Sequence, residues 1–168
     1  MDTVVMTTER LNLRKMTTED VQNLMQIFSD PEAMKYYPST MSEEEALGWI
    51  TRTLGNYEKF GFGFWIVEDK STGRFLGQCG IIAQEFDGAD VMEIAYLFVR
   101  QEWGNGYATE SAKACKEYGF QSLGLQKMYS FIDANNSPSA RVAERNGMHV
   151  ETTTTKWGKD VFVYSVSR

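Results

Sequence analysis

One histidine and two cysteines are all that the 168-residue chain offers of the residues most used for metal and nucleophile chemistry. His149 falls in a β-rich tail with no partner motif, so the sequence supplies neither a zinc ligand set nor a cysteine–histidine pair. Cys79 in a strand and Cys115 on a helix face are not closely spaced. They read as buried free thiols in a reducing compartment, and a cytoplasmic location is expected. No apolar run approaches the roughly eighteen residues of a membrane span, and no charged-then-apolar stretch marks a secretory signal. Lysine and arginine nowhere cluster, and the formal charge is −6. Nonspecific nucleic-acid binding, which needs a basic stripe to neutralise phosphates, is therefore not expected, and a cationic acceptor suits the charge better. Repeats, low-complexity tracts and linkers are also missing, so one domain over residues 1–168 is expected.

What is present suits a globular α/β chain. The composition is 42% hydrophobic and 24% charged, and a chain of this length can bury on the order of two-thirds of its unfolded surface. Leu11 and Leu13 alternate with polar neighbours in a first strand over residues 8–14. Thr17 starts a helix carrying Val21, Leu24, Met25 and Phe28, which Asp30-Pro31 ends, and Pro31 opens a short helical turn. Ser42 and Glu45 form a capping box for a longer helix through Ala46, Trp49, Ile50 and Leu54. Residues 64–69 and 75–82 read as a hairpin, and Asp87-Gly88 turns the chain into a strand over residues 93–99. A helix over residues 107–122 presents the small face Ala108, Ala112, Cys115 and Gly119 to a sheet. Residues 128–132 make a strand, and two further β-rich runs, 150–155 and 161–166, meet at Gly158.

The most informative stretch is Glu93-Ile-Ala-Tyr-Leu-Phe-Val-Arg-Gln-Glu-Trp-Gly-Asn-Gly-Tyr-Ala-Thr-Glu110. An apolar strand runs into a two-glycine turn and then a helix. Gly104 and Gly106 let the backbone bend and approach a ligand, and the free amides and positive dipole end of the helix starting near Tyr107 favour an anion. The nucleotide-triphosphate loop is excluded, since no Gly-x-x-x-x-Gly-Lys-Ser/Thr occurs. The dinucleotide fingerprint fits poorly, because Thr109 stands where the third glycine belongs and the strand comes mid-chain. An ordinary glycine turn before a helix is the bland alternative. Thirty residues on, Asn135-Asn136-Ser-Pro-Ser-Ala-Arg-Val-Ala-Glu-Arg-Asn-Gly147 carries a helix cap at Asn136 or Ser137, a first-turn Pro138 and a left-handed Gly147 after the helix end.

Together these two segments resemble the GNAT superfamily of acyl-CoA N-acyltransferases, and Trp-Gly-x-Gly-Tyr-Ala-Thr-Glu is similar to the ribosomal-protein N-terminal acetyltransferase subgroup. Trp103 departs from the usual Arg or Gln. The resemblance implies the GNAT fold, a mixed α/β (α+β) plan with a central, mostly antiparallel twisted sheet of about six to seven strands and about four helices. It implies acetyl-CoA as cosubstrate, no metal, an amine acceptor, and a monomer or homodimer. Pyrophosphate is expected on the amides around Trp103, Gly104, Asn105, Gly106, Tyr107, Ala108 and Thr109, and the pantetheine arm beside Leu97, Phe98 and Val99. The resemblance further implies that Asn136 and Ser139 sit by the pantetheine and sulfur, with Ser139 as donor to the departing thiolate. Glu93 matches the family's strand glutamate and is the candidate base, although Ala95 replaces the usual following glycine; a solvent-facing strand glutamate is the alternative. Tyr36, Tyr37, Trp49, Trp65 and Tyr96 fall on elements that flank the acceptor side. A noncatalytic acyl-CoA-binding module on the same fold is the alternative to an N-acetyltransferase.

Overall fold

Leu11 and Leu13 are fully buried while Asn12 and Arg14 are half-buried, so the expected first alternation is a strand, Leu11–Lys15. The computed structural model describes residues 3–168, and within them a shorter strand precedes it. We number the strands β1 (Val4–Thr7), β2 (Leu11–Lys15), β3 (Phe64–Asp69), β4 (Phe75–Phe86), β5 (Ala89–Phe98), β6 (Lys127–Asp133), β7 (His149–Lys156) and β8 (Lys159–Ser167). The helices are α1 (Val21–Phe28), α2 (Glu43–Phe60), α3 (Tyr107–Gln121) and α4 (Ser137–Arg145). One eight-stranded sheet runs β1-β2-β3-β4-β5-β6-β8-β7, antiparallel throughout except for the parallel pair β5–β6. The strand beyond those expected is β1, four residues whose outer pair is exposed and inner pair half-buried, too short to show a period.

Local chemistry sets the ends. Ser42 accepts the Glu45 amide at 3.1 Å and Glu45 accepts the Ser42 amide at 3.0 Å, which is the capping box of α2; Gly61, at φ 82°, stops that helix. Asp87 and Gly88 both take positive φ, 53° and 78°, the geometry of a two-residue hairpin turn. The ladder therefore closes at Phe86 and Ala89, and β4 and β5 extend past the expected limits at residues 82 and 93.

The centre of the sheet is buried on both faces, while β7 at its edge is largely exposed. In β3, Trp65 and Val67 join Leu11, Leu13, Ile81 and Met128 on one side, while Phe64 and Ile66 join Leu24, Phe28 and Ile50 on the other. Trp65 is 1% exposed and packs edge-on against Tyr118 with centroids 5.4 Å apart. It is core, not an acceptor-side residue, because the strand pleat turns it away from the face that carries Phe64. Gly119 explains how closely α3 lies on β6: a Cβ there would sit 2.5 Å from the Met128 sulfur. Arg14 holds α1 to the sheet, bonding Asp20 at 2.7 Å and Glu68 at 3.0 Å. Burial alone would raise the Asp20 carboxyl, but its hydrogen bonds from Arg14 and Thr17 bring it below its usual range.

Two glycines predict opposite responses. A Cβ on Gly80 would lie 2.1 Å from the Gly63 carbonyl oxygen, a backbone atom that cannot step aside, whereas one on Gly55 in α2 meets nothing within 4 Å. Gly80→Ala should cost about 3 kcal/mol, and Gly55→Ala should add about 0.5–1 kcal/mol. Chemical denaturation of both variants checks the contrast.

Candidate active site

The parallel pair β5–β6 is where the sheet stops being continuous. Its ladder has one registered pair, Glu93 with Tyr129, while β5 stays paired with β4 through Phe98 and β6 with β8 through Asp133. Beyond that pair, side chains replace backbone bonds. The Ser130 hydroxyl donates to the Ile94 carbonyl at 2.7 Å, and the Phe131 amide donates to the Glu93 carboxylate at 3.0 Å. Further out, the Tyr96 hydroxyl reaches across to the Ser139 carbonyl at 2.9 Å.

A cleft of about 540 Å³ opens along this parting. Glu93, Leu97, Asn136 and Ser139 line it, so the expected base, one pantetheine-side residue and both sulfur-side residues lie in one place. Phe98, Val99 and residues 103–109 do not line it; they form the strand end and the turn beyond. Strand alternation divides β5's backbone. The Val99 amide bonds the Leu76 carbonyl on the β4 side, whereas the carbonyls of Ile94 and Phe98 face the other side, toward Ser130 and the Trp103 indole. The Tyr96 amide and carbonyl share that outward orientation.

Because β5 and β6 run parallel, the helices that follow them begin at the same edge of the sheet. Gly104 and Gly106 take φ of 85° and 79°, which favours glycine at both positions, and α3 begins at Tyr107 with no side chain capping it. Its first amides are therefore free of the side-chain oxygen that usually occupies a helix start. The Thr109 hydroxyl, in the first turn, is buried without a hydrogen-bond partner among the described residues. Asn105 bonds the Glu102 carbonyl at 3.0 Å, and Trp103, 48% exposed, donates its indole N–H to Phe98 at 3.0 Å. At α4, Asn136 caps the helix by accepting the Ser139 amide at 3.3 Å.

Glu93 is buried, which excludes the solvent-facing alternative. Burial raises its carboxyl above the usual range, and the hydrogen bonds from Phe131 and Gln84 (2.9 Å) offset that only in part. Sequence reasoning missed these two partners, since an amide of β6 and a glutamine of β4 carry no motif. Four of the five aromatics expected on the acceptor side line the cleft: Tyr36, Tyr37, Trp49 and Tyr96. Trp49 donates its indole N–H to Gln78 at 3.0 Å, and Tyr36 donates its hydroxyl to the Asn135 carbonyl at 3.0 Å. Tyr37 packs on Trp157 at the β7–β8 tip, 5.6 Å between centroids. Burial, then the Glu93 charge, pushes the Tyr37 phenol up, so it keeps its proton. Trp157 and Lys156 were also missed; the hairpin that brings them to the cleft pairs through β8 with β6 and is visible only in three dimensions.

Among the described residues no group of three or more histidine, cysteine or acidic side chains is placed to hold a metal, and no helix is long and apolar enough to cross a membrane. Cys79 and Cys115 are buried free thiols with their sulfurs 3.6 Å apart.

The comparisons with known proteins agree with this architecture. Residues 10–149 match the model of the acetyltransferase (GNAT) domain. The chain is 44% identical over 158 residues to the uncharacterized protein YkkB of Bacillus subtilis, covering 94% of this chain and 92% of that one. It is 33% identical to the uncharacterized N-acetyltransferase p20 of Bacillus licheniformis, covering 95% and 93%. In fold it matches RimL, a ribosomal L7/L12 alpha-N-protein acetyltransferase solved with coenzyme A, at a TM-score of 0.79 over 98% and 97% of the two chains and 18% identity. With the family matched across most of its length, the chain belongs to the GNAT family and is an acetyltransferase.

Proposed function

We propose that this chain, as one domain, transfers an acetyl group from acetyl-CoA to a primary amine by direct attack in a ternary complex. The observation that carries the reading is the parting of β5 and β6 with the buried Glu93 at its apex and two helix N-termini at its open edge. The uncapped start of α3, entered through Gly104 and Gly106, suits the pyrophosphate, and the buried Thr109 hydroxyl lacks a partner on the same turn. The outward-turned backbone of Tyr96 and Phe98 suits the amide-bearing pantetheine arm, which would pair as an added strand with Leu97 beside it and Val99 closing the strand. Coenzyme A bound to the RimL fold supports the same reading.

The chemistry needs the acceptor as a free amine. Its lone pair adds to the thioester carbonyl carbon, the C–S bond then breaks, and the sulfur leaves as a thiolate that takes up the proton the nitrogen gives up as it becomes an amide. Glu93, linked to the cleft directly or through water, accepts the proton that the attacking ammonium must lose. A carboxyl raised above its ordinary range is a better match to that task than a solvated one. Ser139 supplies a hydroxyl donor for the thiolate, and Asn136 holds the helix that carries it. The buried pair of reduced thiols suits a cytoplasmic setting.

Gly106→Asp tests the cradle. A side chain at φ 79° is strained, its Cβ would lie 3.4 Å from the Arg10 guanidinium, and its carboxylate adds negative charge to the turn proposed to hold the phosphates, so affinity for acetyl-CoA should fall by about tenfold or more in a folded protein. Calorimetry with the variant reads it, and unchanged affinity contradicts the assignment. Tight acetyl-CoA binding in the unaltered protein with no thiol release over a broad amine panel would instead favour a binding module.

Glu93→Gln tests the base. Turnover needs the carboxylate, so kcat/KM should rise with pH through a pKa above the ordinary carboxylate range, and the variant should lose or displace that rise with a drop of about a hundredfold. Because the folded chain holds the Glu93 proton more tightly than the unfolded chain, its contribution favours folding at low pH and is lost as pH rises through the folded pKa. Removing the charge should therefore leave stability at neutral pH equal or higher. An identical pH profile in the variant contradicts the role.

A further inference from the structure

Two cations line the acceptor end of the cleft without a carboxylate on either. Arg52 stands on the α2 face that also presents Trp49, Thr53 and Asn56 to the cleft, and Lys156 stands at the β7–β8 tip. Among the described residues neither forms an ion pair within the range seen for Arg10, Arg14, Arg74, Arg100 and Lys127. Each rests on an aromatic ring instead. The Arg52 guanidinium lies 5.9 Å from the Trp49 ring centre and the Lys156 ammonium 4.7 Å from that of Trp157. The lining carboxylates are Glu93, hydrogen-bonded by Phe131 and Gln84 and felt by Lys156 only as a charge at longer range, and Asp133, whose oxygen takes the Asn135 amide at 2.9 Å in the β6–α4 turn. The tip is held down by Tyr37 on Trp157, so Lys156 is brought to the cleft by packing.

A chain of net charge −6 thus has two cations without an ion-pair partner where the acceptor's body would lie and one buried carboxylate, which Lys156 reaches only through its longer-range field, where its amine would react. From this geometry we infer that the acceptor is a small amine carrying an anionic group, a carboxylate or a phosphate a few bonds from the reacting nitrogen, with Arg52 and Lys156 holding that group. The inference rests on the acetyl-transfer reading and narrows its substrate class. It runs against the cationic acceptor that net charge alone favours, because recognition depends on the charges that face the ligand and not on the sum over the surface. A polyamine would set its second ammonium against Arg52 and Lys156. A carboxylate or phosphate there gains charge-assisted hydrogen bonds to donors free of acidic partners.

The test is thiol release from acetyl-CoA with paired acceptors: α-amino acids against their amides, phosphoethanolamine against ethanolamine, and spermidine. The anionic member of a pair should have a kcat/KM at least about tenfold higher, with spermidine below both, and the two pairs distinguish carboxylate from phosphate. In Arg52→Gln and Lys156→Gln the ratio within the preferred pair should fall by about tenfold, while Lys59→Gln, an exposed cation on α2 outside the cleft, should leave the ratio unchanged. Equal rates within both pairs, a preference for spermidine or for the amide and ethanolamine members, or a ratio untouched by both cleft variants overturns the inference and leaves acetyl transfer standing. No thiol release with any amine overturns the transfer reading and this one with it.

Discussion

The parting of β5 from β6 after a single registered pair is the constraint on which the site depends. A sheet is stable because each strand's backbone groups are paired by its neighbours, and separating two central strands leaves those groups without partners. The chain meets that demand with side chains at the apex. Ser130 satisfies the Ile94 carbonyl in a buried position, and the Glu93 carboxylate satisfies the Phe131 amide in a part-buried one. Tyr96 then ties β5 to α4 across the opening. The cleft is a consequence of the fold's topology: strands that run parallel deliver two helix starts to one edge, and strands that diverge leave room between them.

Under the proposed reading Glu93 has two tasks in this arrangement, and they pull on it in different directions. As a structural acceptor it bonds Phe131 and Gln84, yet its burial makes the charged form costly. The cost of holding an ionisable group out of water is common where proton transfer is needed, and the central strands, buried on both faces, supply the compensating stability. The contact of Tyr37 with Trp157 adds a second element, since it connects the α1–α2 loop to the β7–β8 tip and so lines the cleft with parts of the chain far apart in sequence.

Much of this was legible before the structure. The capping box at Ser42, the hairpin turn at Asp87-Gly88, the alternation at Leu11 and Leu13 and the two-glycine turn each announce themselves through local chemistry, and the elements they predict are present. Clustering of Glu93, Leu97, Asn136 and Ser139 in one cleft was expected from the resemblance alone, as no local signal links a mid-strand glutamate to a helix cap over forty residues later. What could not be read depends on pairing between distant segments. Trp65 looks like Trp49 in composition, but the pleat of β3 sends it into the core; Lys156 and Trp157 look like an ordinary hairpin tip until β8 pairs with β6. Ser130 and Phe131 carry no motif, because they act through a hydroxyl and a backbone amide whose partners are set by where β5 and β6 diverge.

The central claim is that the opening between β5 and β6, together with the start of α3, receives acetyl-CoA. Amide chemical-shift mapping on isotopically labelled protein tests it most directly, since the backbone itself is the predicted ligand. Titration with acetyl-CoA should move the amides of Tyr96 and Phe98 and those of residues 104–109 together, with one apparent affinity, and leave β1 and the solvent face of α2 unmoved. Saturable binding whose shifts fall elsewhere, with those amides unchanged, would contradict the account.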